Sequence, residues 1–147
     1  MAIDKKYIGV ETEDRYIDVE AGQLKLFAMA TGQTDPIYCD NDAAKAAGLP
    51  GIPLPPTFVF SLGNLAESKE FSIAEMGINL PAVLHGEQTF TYHKPIYAGD
   101  RVRLKSKVVD IYDKKGGALD FIVQDTTAHN QNDELCVTAR TVIVVRN

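Results

Sequence analysis

The stretch Phe58-Val-Phe-Ser-Leu-Gly-Asn-Leu-Ala66 has helical character and is apolar on nearly every side. A helix with this composition is normally buried inside its protein. Gly63 would cost about 1 kcal/mol relative to alanine in an exposed helix, and a close approach to a sheet would explain its presence. The stretch therefore predicts a buried helix that packs against a sheet.

The chain beyond this helix alternates between apolar and polar residues, which is the period of a strand. Four such segments are separated by short turns, and they lie at residues 83–94, 101–108, 119–123 and 135–145. Consecutive strands with short turns predict an antiparallel meander. In the second segment, Arg101, Arg103, Lys105 and Lys107 alternate with the core residues. This alternation predicts that the cationic row lies on the solvated face of the strand.

The chain before residue 58 predicts two shorter helices. Asp18 is the predicted N-cap of the first, and Gly32 is its predicted C-terminal stop. The second covers residues 42–47, with Asn41 or Asp40 as its cap. Residues 7–10 give a weak strand signal, and residues 67–80 form a polar connection. The segment at 48–56, Gly-Leu-Pro-Gly-Ile-Pro-Leu-Pro-Pro, is too apolar for a free linker, so we expect a packed crossing.

Helices followed by a long antiparallel sheet predict the α+β class, with the sheet wrapped around the buried apolar helix. An open sheet has edge strands, and an edge strand commonly pairs across a dimer. The 147 residues fit one domain, residues 1–147.

The composition excludes several function classes. The net charge of −5 argues against a nucleic-acid partner, because such proteins carry a basic footprint. The sequence contains no apolar run long enough to span a membrane and no signal-peptide pattern at its start. Cys39 and Cys136 lack metal-site spacing, so we expect two free thiols in a cytoplasmic protein.

Several short motifs occur together along the chain. They are Phe27 to Gly32 in the pattern Tyr/Phe-x-x-x-Thr/Ser-Gly, Pro36-Ile37, Ala46-Ala-Gly-Leu-Pro-Gly, Pro55-Pro-Thr-Phe58, Leu84-His-Gly-Glu-Gln88, Tyr92-His-Lys-Pro95 and Ala98-Gly-Asp100. As a set they resemble the MaoC-like dehydratases, which are hot-dog-fold proteins that include the R-specific enoyl-CoA hydratases. The later motifs look most like the often non-catalytic N-terminal half of two-module members, and like the companion subunit of heterodimeric acyl dehydratases.

The resemblance implies a hot-dog fold without a cofactor and a substrate that is an acyl-CoA or acyl-carrier-protein thioester. Contact with the phosphates of coenzyme A, or with the acidic surface of an acyl carrier protein, is therefore the functional alternative for the cationic row. It also implies a homodimer, or a heterodimer with a related chain. Active members carry Gly-Asp-x-Asn-Pro-Leu/Ile/Val-His, in which Asp and His together handle the protons of one water molecule. Here Gln33 stands at the Asp position and Tyr38 at the His position, while Asp35 stands at the Asn position.

A carboxamide cannot accept the proton, and phenols, with an ordinary pKa of about 10, are poor acid–base groups near neutral pH. Asp35 is a candidate replacement base, although a turn residue before proline is the simpler interpretation. Tyr38 is a candidate pocket group, with packing at the loop exit as the simpler interpretation. The resemblance also places Gly32, Gln33, Pro56, Thr57 and Phe58 at the substrate.

His85 and Glu87 share one face if their strand is regular, together with Thr89, Thr91 and His93. The pair is a candidate for acid–base chemistry, with a polar surface or subunit interface as the simpler interpretation. No third ligand is visible by spacing, so we expect no metal site.

These observations predict a subunit of an R-specific enoyl-thioester hydratase or 3-hydroxyacyl-thioester dehydratase. The subunit lacks the catalytic Asp/His pair, which we call the dyad, and supplies acyl-chain binding and the dimer interface. Two alternatives remain open: a self-sufficient hydro-lyase or hot-dog thioesterase with substitute catalytic residues, and a non-enzymatic acyl-thioester-binding protein.

Overall fold

The computed structural model describes residues 3–66 and 73–147. It contains three α-helices and five strands, joined in places by short 3-10 turns. The helices are α1 (Ala21–Ala30), α2 (Asn41–Ala46) and α3 (Phe58–Leu65); the strands are β1 (Arg15–Asp18), β2 (Val83–Tyr92), β3 (Arg101–Lys114), β4 (Leu119–His129) and β5 (Leu135–Arg146). The predicted α+β class is confirmed. Within the described residues, no helix is long and apolar enough to cross a membrane.

The five strands form one antiparallel sheet in the order β1-β3-β4-β5-β2. The predicted four-strand meander is therefore wrong for β2, which pairs with β5 instead of β3. The reason lies in the connection after β2, which contains Pro95 and pairs elsewhere: Leu54 N–H donates to Ile96 O at 2.7 Å, and Ala98 N–H donates to Ile52 O at 2.9 Å. These two bonds also confirm that residues 48–56 form a packed crossing.

The start of the chain differs from its prediction. Residues 7–10 form no named strand. Tyr7 ends a 3-10 turn, Lys5–Tyr7, which Asp4 caps by accepting the Lys6 N–H; beyond it, Gly9 N–H donates to Val108 O and Val10 O accepts the Val108 N–H. The first strand is β1 instead. Asp18 is the last residue of β1, so its predicted role as a helix cap is wrong; Glu20 occupies the N-cap of α1.

The middle helices largely follow their predictions. Asp40 caps α2 by accepting the N–H groups of Asp42 and Ala43. On α3, Phe58, Val59 and Leu62 are buried, but Phe60 is 40% exposed and Leu65 is 50% exposed. The predicted burial on nearly every side is therefore wrong, because the sheet covers one side of the helix only.

Gly63 also departs from its prediction, since a Cβ atom built there would meet no atom within 4 Å. The expected close approach to the sheet is absent at this residue in the described structure. The position faces open space instead.

The core consists of two apolar clusters on one face of the sheet, which we call the inner face. The first cluster joins α1, α3 and the crossing to the sheet, and includes Leu24, Ile52, Leu62, Leu104, Ala128 and Val137. The second cluster lies farther along the strands and includes Ile3, Met76, Val108, Ile122, Ile143 and Val145. The two clusters share no residue, which raises the question of what lies between them.

Candidate functional site

The loop at residues 31–38 begins where α1 ends. Gly32 has a φ of +73°, a left-handed conformation that suits glycine. Gln33 N–H donates to Ala28 O at 2.9 Å and Gly32 N–H donates to Met29 O at 3.2 Å. This pair of bonds is a Schellman motif, so the predicted helix stop at Gly32 is confirmed and the direction of the loop is set by its backbone.

The polar side chains of loop 31–38 bind their own backbone. Asp35 caps a 3-10 turn at Pro36–Tyr38, with its carboxylate accepting the Ile37 N–H at 3.1 Å. Gln33 Oε1 accepts the Asp35 N–H at 3.1 Å. Both side chains are exposed. The simpler interpretation of Asp35 as a turn residue therefore matches the geometry.

Tyr38 closes the loop. The residue is partly buried, and within the described residues its hydroxyl makes no hydrogen bond. Cys39 follows it and is exposed, whereas Cys136 is buried in the first apolar cluster; both are free thiols, as predicted.

An aromatic contact joins the end of α1 to the start of α3. The rings of Phe27 and Phe58 meet edge to face, with centroids 4.9 Å apart and planes at 67°. Phe58 is buried in the first cluster, whereas Pro56 and Thr57 are exposed. Of the predicted substrate-contacting residues, Phe58 therefore forms part of the core beneath the surface on which Pro56 and Thr57 lie.

Strand β2 contains a bulge at Gly86. His85 lies opposite Ile143 and Glu87 lies opposite Val142, so the bulge shifts the register by one residue. A Cβ atom at Gly86 would lie 2.7 Å from Val144 Cγ2 and 3.1 Å from Val142 O. An alanine here would have to displace the Val144 side chain and the Val142 carbonyl group, so the bulge favours glycine at this residue.

The bulge separates the two candidate acid–base residues. His85 shares the inner face with its neighbour Ile143 on β5, while Glu87 lies on the opposite, outer face with Thr89 and Thr91. The predicted pairing of His85 with Glu87 on one face is therefore wrong, because that prediction assumed a regular strand. His85 instead packs against Phe60 of α3, with ring centroids 5.1 Å apart.

A cavity of about 410 Å³ lies between α3 and the inner face, and His85 is one of its lining residues. Its floor consists largely of polar side chains. We call the set with one member from each strand the polar belt: Arg15 (β1), Ser106 (β3), Thr126 (β4), Thr141 (β5) and Gln88 (β2).

The polar belt separates the two apolar clusters. On β3, Ser106 lies between Leu104 of the first cluster and Val108 of the second, and on β5 Thr141 lies between Val137 and Ile143. Ser106 is buried and the other belt residues are half-buried, and polar groups in such positions normally have hydrogen-bond partners. The belt therefore needs a network of its own.

That network runs across neighbouring strands. Ser106 Oγ lies 2.7 Å from Thr126 Oγ1, and Arg15 Nη2 donates to Ser106 Oγ at 3.1 Å. On the other side of the belt, Thr141 Oγ1 donates to Gln88 Oε1 at 2.8 Å. Arg15 is half-buried, and its burial lowers the pKa of the guanidinium group.

Comparisons with known proteins place this geometry in a family. A family described as FAS1-like, dehydratase domain region, matches residues 6–139. The chain belongs to the FAS1-like dehydratase family. It is also 36% identical over 148 residues to a UPF0336 protein of Streptomyces griseus, an alignment that covers 99% of this chain and 97% of the relative.

Solved structures of other proteins share the fold of this FAS1-like dehydratase chain. A truncated HadBC (3R-hydroxyacyl-ACP dehydratase) complex from Mycobacterium tuberculosis has a TM-score of 0.78 at 24% identity, covering 98% of this chain and 99% of that chain. A MaoC-like dehydratase has a TM-score of 0.82 at 23% identity, covering 96% of this chain and 42% of that chain. The predicted hot-dog fold of MaoC-like dehydratases is confirmed.

The outer face of this FAS1-like dehydratase chain carries the predicted cationic row. Its cations are paired with carboxylates: Arg101 with Asp18, Arg103 with Asp133, and both Lys105 and Lys107 with Glu11. The interpretation as a solvated face is therefore confirmed. A phosphate at this row would have to compete with a carboxylate already in place.

The sequence interpretation missed most of the polar belt. Ser106 and Thr141 were visible as hydroxyl residues at positions that otherwise alternate as core positions. That was the available signal, since a polar residue on a core face needs a partner. Arg15 gave no signal, because the strand that holds it has only four residues.

Proposed function

We propose that this chain is the dyad-lacking subunit of an R-specific enoyl-thioester hydratase or 3-hydroxyacyl-thioester dehydratase, and that a related chain supplies the Asp/His dyad. The observation that carries the proposal is loop 31–38. The loop keeps a rigid turn at the end of α1, but Gln33 and Tyr38 occupy the two positions at which the resembled enzymes hold their proton-handling groups.

The chemistry of hydration supports a second chain as the source of the catalytic groups. Addition of water to an enoyl thioester needs one group that accepts a proton and one that donates a proton. The Gln33 carboxamide cannot accept a proton, and its oxygen already accepts the Asp35 N–H. The Asp35 carboxylate already accepts the Ile37 N–H, which ties it to the turn. The loop is therefore suited to shaping a pocket wall and poorly suited to exchanging protons.

The sheet offers a place for the partner. Strand β2 pairs with β5 along one edge, and no described strand pairs with its other edge. Leu84 and Tyr92 on this strand, and Leu80 just before it, are exposed large apolar residues. Open strand edges are ready templates for pairing. The structurally similar HadBC protein is a complex of this kind of dehydratase, which supports a hetero-oligomer, with a homodimer as the alternative.

The experiment is a hydration assay with crotonyl-CoA and longer enoyl-CoAs. We expect the purified chain alone to be inert, and we expect activity when it is co-purified with a related chain that carries Gly-Asp-x-Asn-Pro-x-His. The matched variant is Asp35→Asn, which keeps the side-chain oxygen that accepts the Ile37 N–H but removes the charge. Activity of the complex should not change.

Three outcomes would contradict the proposal. Rapid hydration by the chain alone would show that it has its own acid–base groups. Failure to form a complex or to gain activity would leave a non-enzymatic thioester-binding protein. Hydrolysis of the thioester without hydration of the double bond would indicate a thioesterase.

A second candidate function is a self-sufficient hydro-lyase with His85 as an acid–base group. The observation in its favour is that the bulge directs His85 to the inner face, where it lines the cavity beside Phe60. Imidazole titrates near neutral pH and is the commonest general acid–base group. If the chain alone is active, His85→Gln should lower kcat by about a hundredfold or more, whereas Glu87→Gln on the outer face should not.

A further inference from the structure

The polar belt contains a cation without an anionic partner. Arg15 Nη1 donates to Gly63 O at 2.9 Å and Nη2 donates to Ser106 Oγ at 3.1 Å, and both acceptors are neutral. Arg15 Nε is buried without an acceptor. Within the described part of the chain, no carboxylate forms an ion pair with Arg15.

This arrangement is unusual on physical grounds. Arg15 is half-buried, and removing even part of a charged group from water is costly unless an opposite charge or a metal compensates it, so charges in such positions are normally paired. Arginine cannot avoid the cost by losing its proton, since it stays charged in proteins. On the outer face, where water already solvates them, Arg101 and Arg140 both have carboxylate partners.

A purely structural role explains only part of the arrangement. Gly63 lies in the last turn of α3, where carbonyl groups lack partners within the helix and a nearby cation is favourable. Arg15 therefore caps α3 through Nη1. Capping by one nitrogen does not account for a guanidinium group that also reaches Ser106 and leaves Nε without an acceptor.

The composition of the cavity points in the same direction. Among the described residues that line it, Arg15 is cationic and none is acidic, although the chain has 20 Asp and Glu residues and a net charge of −5. The wall formed by α3 is apolar, with Val59 and Phe60, and Ile143 of β5 adds an apolar side chain to the floor. A volume of about 410 Å³ is within the usual range for ligand pockets.

We propose that this cavity binds the far end of an acyl chain that terminates in a carboxylate, and that Arg15 is the residue that pairs with that carboxylate. The apolar wall contacts the methylene groups, and the hydroxyl groups of Ser106 and Thr126 surround the charged end. The identification of the ligand as an acyl thioester rests on the proposed function. The preference of the cavity for an anionic end rests on Arg15 and the cavity lining alone.

The test compares two ligands that differ at one end only. Adipoyl-CoA and hexanoyl-CoA have the same acyl length and the same coenzyme, but only adipoyl-CoA carries a terminal carboxylate. By calorimetric titration of the purified chain, we expect adipoyl-CoA to bind about tenfold or more tightly than hexanoyl-CoA, as a charge-assisted hydrogen bond allows. Equal affinities, or tighter binding of hexanoyl-CoA, would overturn the proposal.

Variants of Arg15 test whether this residue causes the preference for adipoyl-CoA. Arg15→Gln should remove the preference for adipoyl-CoA, while Arg15→Lys, which keeps the charge, should retain part of it. The matched control is Arg140→Gln on the outer face, where the guanidinium group binds Asp125; it should leave the preference unchanged. A preference that survives Arg15→Gln would rule out Arg15 as the anion-binding residue.

A measurement on the unaltered chain covers the case in which Arg15→Gln does not fold. Phenylglyoxal modifies arginine side chains, and mass spectrometry can assign the modified residues. We expect adipoyl-CoA to slow the modification of Arg15 relative to Arg140, and hexanoyl-CoA to have a smaller effect. Equal protection by the two ligands would contradict the proposal.

These binding measurements need no turnover. A chain that prefers adipoyl-CoA but gains no hydratase activity with any dyad-bearing partner would leave the anion site standing and the proposed function refuted. An active complex whose chain shows no preference for adipoyl-CoA would support the proposed function and refute the anion site.

Discussion

Loop 31–38 and the polar belt both gather polar side chains, but they hold them in opposite ways. In the loop, the side-chain bonds of Gln33 and Asp35 reach only two residues along the chain and lie at the surface. In the belt, Arg15 bonds to Ser106 across 91 residues and Thr141 bonds to Gln88 across 53 residues. The loop is thus a local structure, whereas the belt exists only when the whole sheet has formed.

Side-chain changes should therefore cost more free energy in the belt than in the loop. An exposed hydrogen bond replaces a bond to water, so its loss has a small net effect on the free energy of unfolding. A buried donor or acceptor that loses its partner has no water to replace it, and this costs about 1–3 kcal/mol. Three matched comparisons test this contrast. Each compares a residue in or next to the loop with a residue of the same type in the sheet.

Thiol labelling should show the largest difference. Cys39 directly follows the loop and is exposed, whereas Cys136 is buried in the first apolar cluster, and its burial raises the pKa of the thiol. A thiol with a raised pKa carries less of the reactive thiolate at a given pH, and burial adds the cost of opening the fold. With a disulfide reagent at pH 8, we expect Cys39 to react on the order of a hundredfold faster than Cys136.

In the Cys39→Ser variant Cys136 is the remaining thiol, so its labelling rate can be measured alone. Labelling in denaturant gives the total number of reactive thiols. If both thiols of the native chain reacted at the same rate, the packing of the first cluster described above would be wrong.

Glycine-to-alanine substitutions should show the next largest difference. Gly86→Ala places a methyl group against Val144 and the Val142 carbonyl oxygen, and overpacking of this kind costs about 2–3 kcal/mol. Gly32→Ala meets no atom but must adopt a φ of +73°, at a cost of about 1 kcal/mol. Urea unfolding followed by circular dichroism measures both. A Gly86→Ala protein as stable as the parent would show that the bulge can relax.

Threonine-to-valine substitutions should show the smallest difference. Thr126→Val removes one of the two belt partners of Ser106 Oγ and leaves the other, Arg15, in place, so it should lower the free energy of unfolding by about 1 kcal/mol. Thr31→Val removes an exposed bond to the Phe27 carbonyl oxygen at the start of the loop, and the change should be at most about 0.5 kcal/mol. Equal losses in the same urea titration would remove the distinction between the two regions.

The same contrast explains what the sequence could reveal. The helix stop at Gly32, the cap at Asp40 and the turn at Asp35 each depend on a few neighbouring residues, so their residue types predicted them. The alternation within β3 and β5 depends on which side chains are buried, and it too was predictable from a short window. The hot-dog fold followed from the motif set.

The remaining features depend on distant partners. Gly86 within the strand is a general signal of a bulge, but the residues around it do not fix the register shift, which is set by the pairing with β5. Nothing near Arg15 indicates its role, because Ser106 and Gly63 become its neighbours only in the folded sheet. The choice of β5 as the partner of β2 likewise depends on how residues 93–100 pack against the crossing.

The bulge at Gly86 also affects how related sequences should be compared. A relative that lacks one residue here would keep the pairing of Gln88 with Thr141 but would turn residues 83–85 over, so that the residue aligned with His85 would point away from the cavity. A one-residue gap in an alignment would thus move the side chains aligned with residues 83–85 to the opposite face of the sheet, even where the aligned residue types are identical. At this segment, homologous residues are identified by the side of the sheet on which they lie, and column position alone is misleading.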